Sequence, residues 1–256
     1  MELNSQIRAA LADPEKKILL MTHIVLGYPS LDVNRQVIEQ MVTNGVDLIE
    51  MQIPFSEPMA DGPVIVKANQ DAIDGGTTVR QCLDFAKEIT ATYPIPFLFM
   101  TYYNILFKFG VEKFFREAKE IGITGFIIPD LPPEEGEEFF ALTRTYAIDP
   151  IMIFAPTSTP ERMQELSRFG RGFVYCVARK GVTGKQTDFD EEFNTYLRKC
   201  RENTELPLAV GFGISRKEDV DYLSGRADIA VIGTRTIKLV EEQGVEAVGP
   251  FIAGLR

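Results

Sequence analysis

Short apolar runs alternate with amphipathic stretches along the whole chain. Residues Ile18–Val25, Val46–Gln52, Ile95–Met100, Gly125–Ile128, Pro150–Phe154, Gly172–Val177, Leu206–Val210 and Asp228–Ile232 each read as a strand. Between them the apolar positions recur at helical spacing. Helices are predicted over Leu3–Ala12, from Ser30 or Asp32 to Asn44-Gly45, after Pro63, and over Val79–Thr92 and Val111–Ile121. Further helices are predicted over Glu134–Tyr146, from Thr159-Pro160 onward, and over Glu191–Cys200, Lys217–Ser224 and the C-terminal segment. Ser30 or Asp32 and Thr159 supply N-cap oxygens, Pro160 suits a first helical position, and Gly122 ends a helix. Strands this uniformly apolar are buried on both faces and belong to a parallel sheet. Eight of them favour a closed (β/α)8 barrel of the α/β class over an open doubly wound sheet, with an extra helix at the N-terminus. No linker or composition break divides the chain, so 1–256 is expected to be a single domain, a usual length for such a barrel.

Composition narrows the function classes. The chain is 45% hydrophobic and 25% charged, as soluble globular proteins are. A net charge of −10 disfavours general binding to nucleic acid or anionic membranes and leaves room for a local basic pocket. No apolar run approaches the ~18 residues of a membrane span. The start, Met-Glu-Leu-Asn-Ser-Gln, lacks the basic and apolar regions of a signal peptide. Cys82, Cys176 and Cys200 are odd in number and lack metal-ligand spacing, which fits reduced thiols used for packing and a cytoplasmic protein. His23 is the only histidine, so a histidine-rich zinc site is excluded. Beside a strand, it reads as a packing residue or a pH-sensitive group.

Chemistry concentrates in the loop Glu50-Met-Gln-Ile-Pro-Phe-Ser-Glu-Pro-Met-Ala-Asp61-Gly-Pro63. Glu50 ends an apolar strand, where an unpartnered carboxylate is costly. Pro54, Pro58 and Pro63 stiffen the return to Asp61. Two acids so placed suit general acid–base chemistry. The structural alternative is that Glu50 pairs with a lysine and Asp61 caps the next helix. Gly211-Phe212-Gly213 follows the seventh strand and Gly233-Thr234 the eighth, where this fold often binds phosphate. Gly181-Val-Thr183-Gly184 suits either a lid or an ordinary surface loop. One histidine is too few for a metal-dependent aldolase, and Lys180 is the only candidate for a Schiff base, in polar surroundings. Metal-free carboxylate chemistry on a phosphorylated substrate remains.

These motifs occur together in a recognisable order. Pro54-Phe-Ser-Glu-Pro-Met-Ala-Asp-Gly-Pro63, Met100-Thr-Tyr-Tyr-Asn104, Pro129-Asp-Leu-Pro132, Gly181-Val-Thr-Gly184 and Gly211-Phe-Gly213 resemble the landmarks of the tryptophan synthase alpha subunit family. The resemblance covers nearly the whole chain and implies a TIM barrel that cleaves indole-3-glycerol phosphate to indole and glyceraldehyde 3-phosphate. It implies Glu50 as general acid–base and Asp61 as the carboxylate that accepts from the indole N–H and stabilises the protonated ring. Tyr175 would orient Glu50 and substrate, Thr183 would meet Asp61 on lid closure, and Tyr102 and Phe212 would line the indole pocket. Amides of Gly184, Gly213, Gly233 and Thr234 would hold the phosphate.

By the same resemblance the chain carries no cofactor and no metal. It would join a β subunit in an α2β2 heterotetramer, with pyridoxal phosphate in the β partner. The expected contact surface is the loop Pro54–Pro58 and the region Met100–Phe107; otherwise these loops merely close the barrel top. Several positions depart from the family's pattern. His23 stands for a tyrosine, Tyr28 for an acid, Gln52 for a glycine, Glu57 for an aspartate, Lys180 for a small residue, and Thr234-Arg235 for a Ser-Ala pair. The changes at Gln52, Glu57 and Lys180 bear on coupling and lid closure. They leave open an alpha-like subunit that is catalytically weak and mainly activates its β partner, beside a different enzyme built on the same barrel.

Overall fold

Eight parallel strands close into a barrel in chain order, each paired with its sequence neighbours and the first with the last. They are β1 (Leu19–Val25), β2 (Leu48–Gln52), β3 (Phe97–Met100), β4 (Gly125–Ile127), β5 (Asp149–Phe154), β6 (Val174–Val177), β7 (Leu208–Gly211) and β8 (Ile229–Ile232). The computed structural model describes residues 2–177, 191–211 and 213–256. Lys180, the Gly181–Gly184 segment with Thr183, and Phe212 lie outside the described residues.

Helix α1 (Leu3–Leu11) precedes the barrel, and α2 (Leu31–Thr43) links β1 to β2. Helices α3 (Pro63–Asp74) and α4 (Val79–Thr92) follow β2, and α5 (Tyr103–Phe109) and α6 (Val111–Ile121) follow β3. Then come α7 (Glu137–Tyr146), α8 (Pro160–Phe169), α9 (Glu191–Glu202), α10 (Lys217–Leu223), α11 (Thr234–Gln243) and α12 (Val248–Ala253). The caps at Ser30 and Thr159 act locally as the sequence predicts, and a further one forms at Thr78. Ser30 Oγ accepts from the Val33 amide, Thr159 Oγ1 from the Arg162 amide, and Thr78 forms a reciprocal capping box with Gln81. Gly122 ends α6 at φ +94°, a conformation that favours glycine.

Alternate strand residues separate into two cores. Met21, Leu48, Leu98, Ile151, Phe173 and Ile229 pack inside the barrel. Leu20, Ile49, Phe97, Phe126, Met152 and Val210 pack outward under the helices. Leu3 and Ile7 of α1 join the inner cluster. A Cβ at Gly125 or Gly172 would lie 3.3 or 3.0 Å from Leu3 Cδ2, so α1 plugs the end where the strands begin. Apolar layers therefore fill most of the barrel from that end, and the buried polar side chains of His23, Glu50 and Gln52 stand where β1 and β2 finish.

Two segments differ from the sequence reading. The helix predicted over Glu134–Tyr146 is broken into a 3-10 turn, Pro133–Glu135, and α7. At Gly136 between them, a Cβ would come within 2.7 Å of Phe140. Helix α5 was not predicted at all. Its first amide, Tyr103 N, donates to both oxygens of Asp130 from the loop after β4, at 2.9 and 3.1 Å. That cap comes from a residue distant in sequence, so no local pattern announces it. Cys82, Cys176 and Cys200 are buried and unbridged. Among the described residues no helix is long and apolar enough to cross a membrane.

Candidate active site

The polar layer begins with β1 and β2. Their register places His23 beside Glu50 and Val25 beside Gln52. Each of His23 and Glu50 is 4% exposed, and His23 Nδ1 lies 2.6 Å from Glu50 Oε1. Among the described residues Glu50 thus pairs with the histidine and with no lysine. His23 was expected from sequence to serve packing or a switch; the structure makes it the partner of the central carboxylate.

Asp61 is brought back by the loop after β2. Gln52 Nε2 donates to Asp61 Oδ2 at 2.7 Å, and the Tyr102 hydroxyl donates to the same oxygen at 3.0 Å. The Ala60 amide donates to the Tyr102 oxygen at 3.1 Å. Helix α3 instead opens at Gly62 with no side-chain cap, so Asp61 is not a capping residue. Phe55 stacks on Tyr102 with ring centroids 5.0 Å apart, and its amide donates to Asn69 Oδ1 of α3 at 2.9 Å. Side chains from β2, the loop after β3 and α3 thus hold the loop, adding to the stiffness of its prolines.

Burial and charge act on these groups in opposite senses. Burial alone would lower the His23 pKa, but Glu50, then Asp61 and the Gln52 carboxamide, outweigh it and leave the imidazole raised above its ordinary value. Asp61 is also raised, by burial first and by Glu50, against the lowering influence of His23, Gln52 and Tyr102. Burial, Glu50 and Asp61 push the Tyr175 hydroxyl well above the usual tyrosine value. For Tyr102 the causes of a similar rise are burial and Asp61. Both phenols therefore act as neutral hydrogen-bonding groups.

His23 Nε2, Glu50 Oε2 and Gln52 Oε1 are among the buried polar atoms that have no hydrogen-bond partner among the described residues. Orphans of this kind are uncommon and cluster where a ligand is to be met.

Tyr175 reaches the site from β6, half-buried, because β7 offers it a glycine. A Cβ at Gly211 would stand 2.3 Å from the Tyr175 hydroxyl oxygen. On the adjoining rim, Gly213 has φ +74°, and Gly233 and Thr234 open α11. The first amides of a helix lack intrahelical partners, and together with the helix dipole they suit an anion.

The structure therefore brings Glu50, Asp61, Tyr102 and Tyr175 to one end of the barrel, with Gly213, Gly233 and Thr234 on its β7–β8 rim. Sequence reasoning missed the pairing roles of His23 and Gln52. The available signal was alternation: Leu19, Met21 and His23 share one face of β1, as Leu48, Glu50 and Gln52 do of β2.

The tryptophan synthase alpha chain profile matches residues 9–249. The chain belongs to the tryptophan synthase alpha chain family. It is 65% identical over 242 residues to the tryptophan synthase alpha chain of Desulfotalea psychrophila, covering 94% of this chain and 95% of the relative. Identity to that of Syntrophotalea carbinolica is 55%, covering 99% of this chain and 100% of the relative. Mycobacterium tuberculosis tryptophan synthase contains a chain that superposes with a TM-score of 0.91 at 28% identity, covering 99% of this chain and 96% of its own length. One from the Pyrococcus furiosus tryptophan synthase α2β2 complex gives 0.87 at 29% identity, covering 93% and 97%. The closed barrel of this tryptophan synthase alpha family member is thus the architecture of the family's solved structures.

Proposed function

We propose that the chain, as one barrel domain, cleaves indole-3-glycerol phosphate to indole and glyceraldehyde 3-phosphate by a retro-aldol reaction carried out by its own side chains. The observation that carries the reading is the buried pair: Glu50 with a free Oε2, and Asp61 fixed by two neutral donors. Glu50 first gives a proton to indole C3. Positive charge spreads to the ring nitrogen, whose N–H is held by Asp61. Glu50 then takes the proton of the glycerol hydroxyl next to C3. The C–C bond breaks, its electron pair restores the indole, the carbinol carbon becomes an aldehyde, and Glu50 regains its proton.

Tyr175 orients Glu50 and the substrate as a neutral phenol. Tyr102 lines the indole pocket and holds Asp61 in place. The amides of Gly213, Gly233 and Thr234, with Gly184, receive the phosphate.

The same reading assigns a tryptophan synthase β subunit as partner, in an α2β2 assembly of the kind named for the Pyrococcus furiosus complex. Met59 and Phe107 support the docking face: they are large apolar side chains left 77% and 67% exposed, beside or within the two expected contact segments. Pyridoxal phosphate would belong to that partner.

The deciding experiment measures glyceraldehyde 3-phosphate release from indole-3-glycerol phosphate by the purified chain, alone and with its cognate β subunit. Turnover that rises on adding β supports both proposals. No turnover in either state, with β still activated, would make the chain an activating subunit and remove the catalytic roles of Glu50 and Asp61.

A further inference from the structure

The polar end of the barrel holds one group that the reaction scheme leaves without a task, the imidazole of the only histidine. Along β1, Leu19 and Met21 fill the same face with apolar bulk. An apolar residue at position 23 would continue that layer without burying another polar group. Instead His23 Nδ1 stands 2.6 Å from Glu50 Oε1. Among the described residues it supplies the hydrogen bond that Glu50 receives, while Oε2 of the same carboxylate has none.

The geometry points to His23 as a positioning residue for Glu50: its Nδ1–H pins Oε1, fixes the orientation of the carboxylate and leaves Oε2 as the oxygen that exchanges protons with the substrate. This rests on the proposed role of Glu50 as general acid–base. Gln52 does for Asp61 what His23 does for Glu50, since its amide nitrogen holds Asp61 Oδ2. Both carboxylates are therefore oriented from neighbouring positions on β1 and β2.

Charge supports the same arrangement. The groups acting on the ring are Glu50 and Gln52 from β2 and Asp61 from the following loop. From the β8 and α11 side the approach is backbone, where a Cβ at Gly233 would lie 3.5 Å from His23 Cβ. Anionic Asp61, and Glu50 once it has given up its proton, both favour a proton on the imidazole. A protonated ring donates from Nδ1 without ambiguity of tautomer.

The test uses the full chain with its cognate β subunit, as wild type, His23→Asn and His23→Phe. Asparagine presents an N–H close to the place of Nδ1–H and does not titrate; phenylalanine keeps a ring and removes the donor. Loss of orientation in His23→Phe is expected to lower kcat about 100-fold with KM within about threefold of wild type. His23→Asn is expected to recover most of that loss and to lack the alkaline limb that imidazole deprotonation gives the wild-type kcat profile. Equal kcat in wild type and His23→Phe would overturn the inference, as would His23→Asn being as poor as His23→Phe.

A second readout does not require turnover. With one histidine in the chain, its imidazole nitrogen resonances report His23 alone. They should titrate above about 6.5 in the wild type and fall back toward that value in Glu50→Gln. An identical titration in both proteins would refute the pairing. A wild type that fails to cleave the substrate yet keeps the Glu50-dependent titration would overturn the functional reading and leave the pairing standing.

Discussion

Each carboxylate in the site is held by one oxygen: Glu50 by His23 on Oε1, and Asp61 by Gln52 and Tyr102 converging on Oδ2. The roles proposed for them differ, so the substitutions should fail differently. Glu50→Gln removes the proton that must be given and regained; it should abolish cleavage while leaving the affinity for glycerol phosphate, read by calorimetry, near wild type. Asp61→Asn keeps the shape and removes the charge that faces the protonated indole, a loss of about 3 kcal/mol or roughly 100-fold in kcat. Stability responds to pH through the same residues. His23 is raised, so the folded state holds its proton more tightly than the unfolded chain does. That contribution is complete below about pH 6.5 and is lost as pH rises through the higher folded value. The wild-type advantage in urea midpoint over His23→Asn should therefore shrink as pH rises across that range. Asp61, also raised, adds stability below about pH 3.9 that disappears as pH climbs through its own folded value.

At the scale of elements, neighbouring strands decide what a site residue can do. Tyr175 on β6 reaches the site only because β7 carries Gly211, whose missing Cβ leaves room for the phenol. Gly211→Ala should cost about 1–3 kcal/mol by overpacking and should lower kcat as Tyr175 is displaced. In a Tyr175→Ala background the same change should cost much less, and a double-mutant cycle in urea reads the difference. Equal costs in both backgrounds would separate the two residues. Most elements were legible before the structure: α4 and α6 begin and end where the pattern placed them, because Thr78 and Gly122 act on their own helices. Helix α5 was not, because Asp130 caps it from another loop.

Across the whole molecule, the barrel is closed off opposite the site. Leu3 and Ile7 plug the strand starts, and buried Asp47 gathers the chain's two ends. Its carboxylate accepts from the Leu20 amide at 2.9 Å and pairs with Lys16 near the N-terminus and Arg256 at the C-terminus. Asp47→Ala leaves the Leu20 amide without its acceptor and should cost about 1–3 kcal/mol in urea denaturation. Because this cluster lies at the end away from Glu50, kcat in the folded variant should stay close to wild type. A large fall in kcat without loss of stability would contradict that separation of the stabilising end from the reacting end.

The linear pattern was enough for the barrel class, the order of its strands and the caps at Ser30, Thr159 and Gly122, and it singled out Glu50 and Asp61 as candidate acids. Those features depend on periodicity and on residues within a few positions of one another. Tertiary structure alone decided which oxygen of each acid is held and by what. His23 and Glu50 are 27 residues apart, and Tyr102 and Asp61 are 41 apart. Their contacts exist because parallel register sets β1 against β2 and the loop after β2 folds back over the barrel mouth. Register and loop closure are non-local, so a histidine that reads as packing in one strand becomes the partner of a carboxylate in the next.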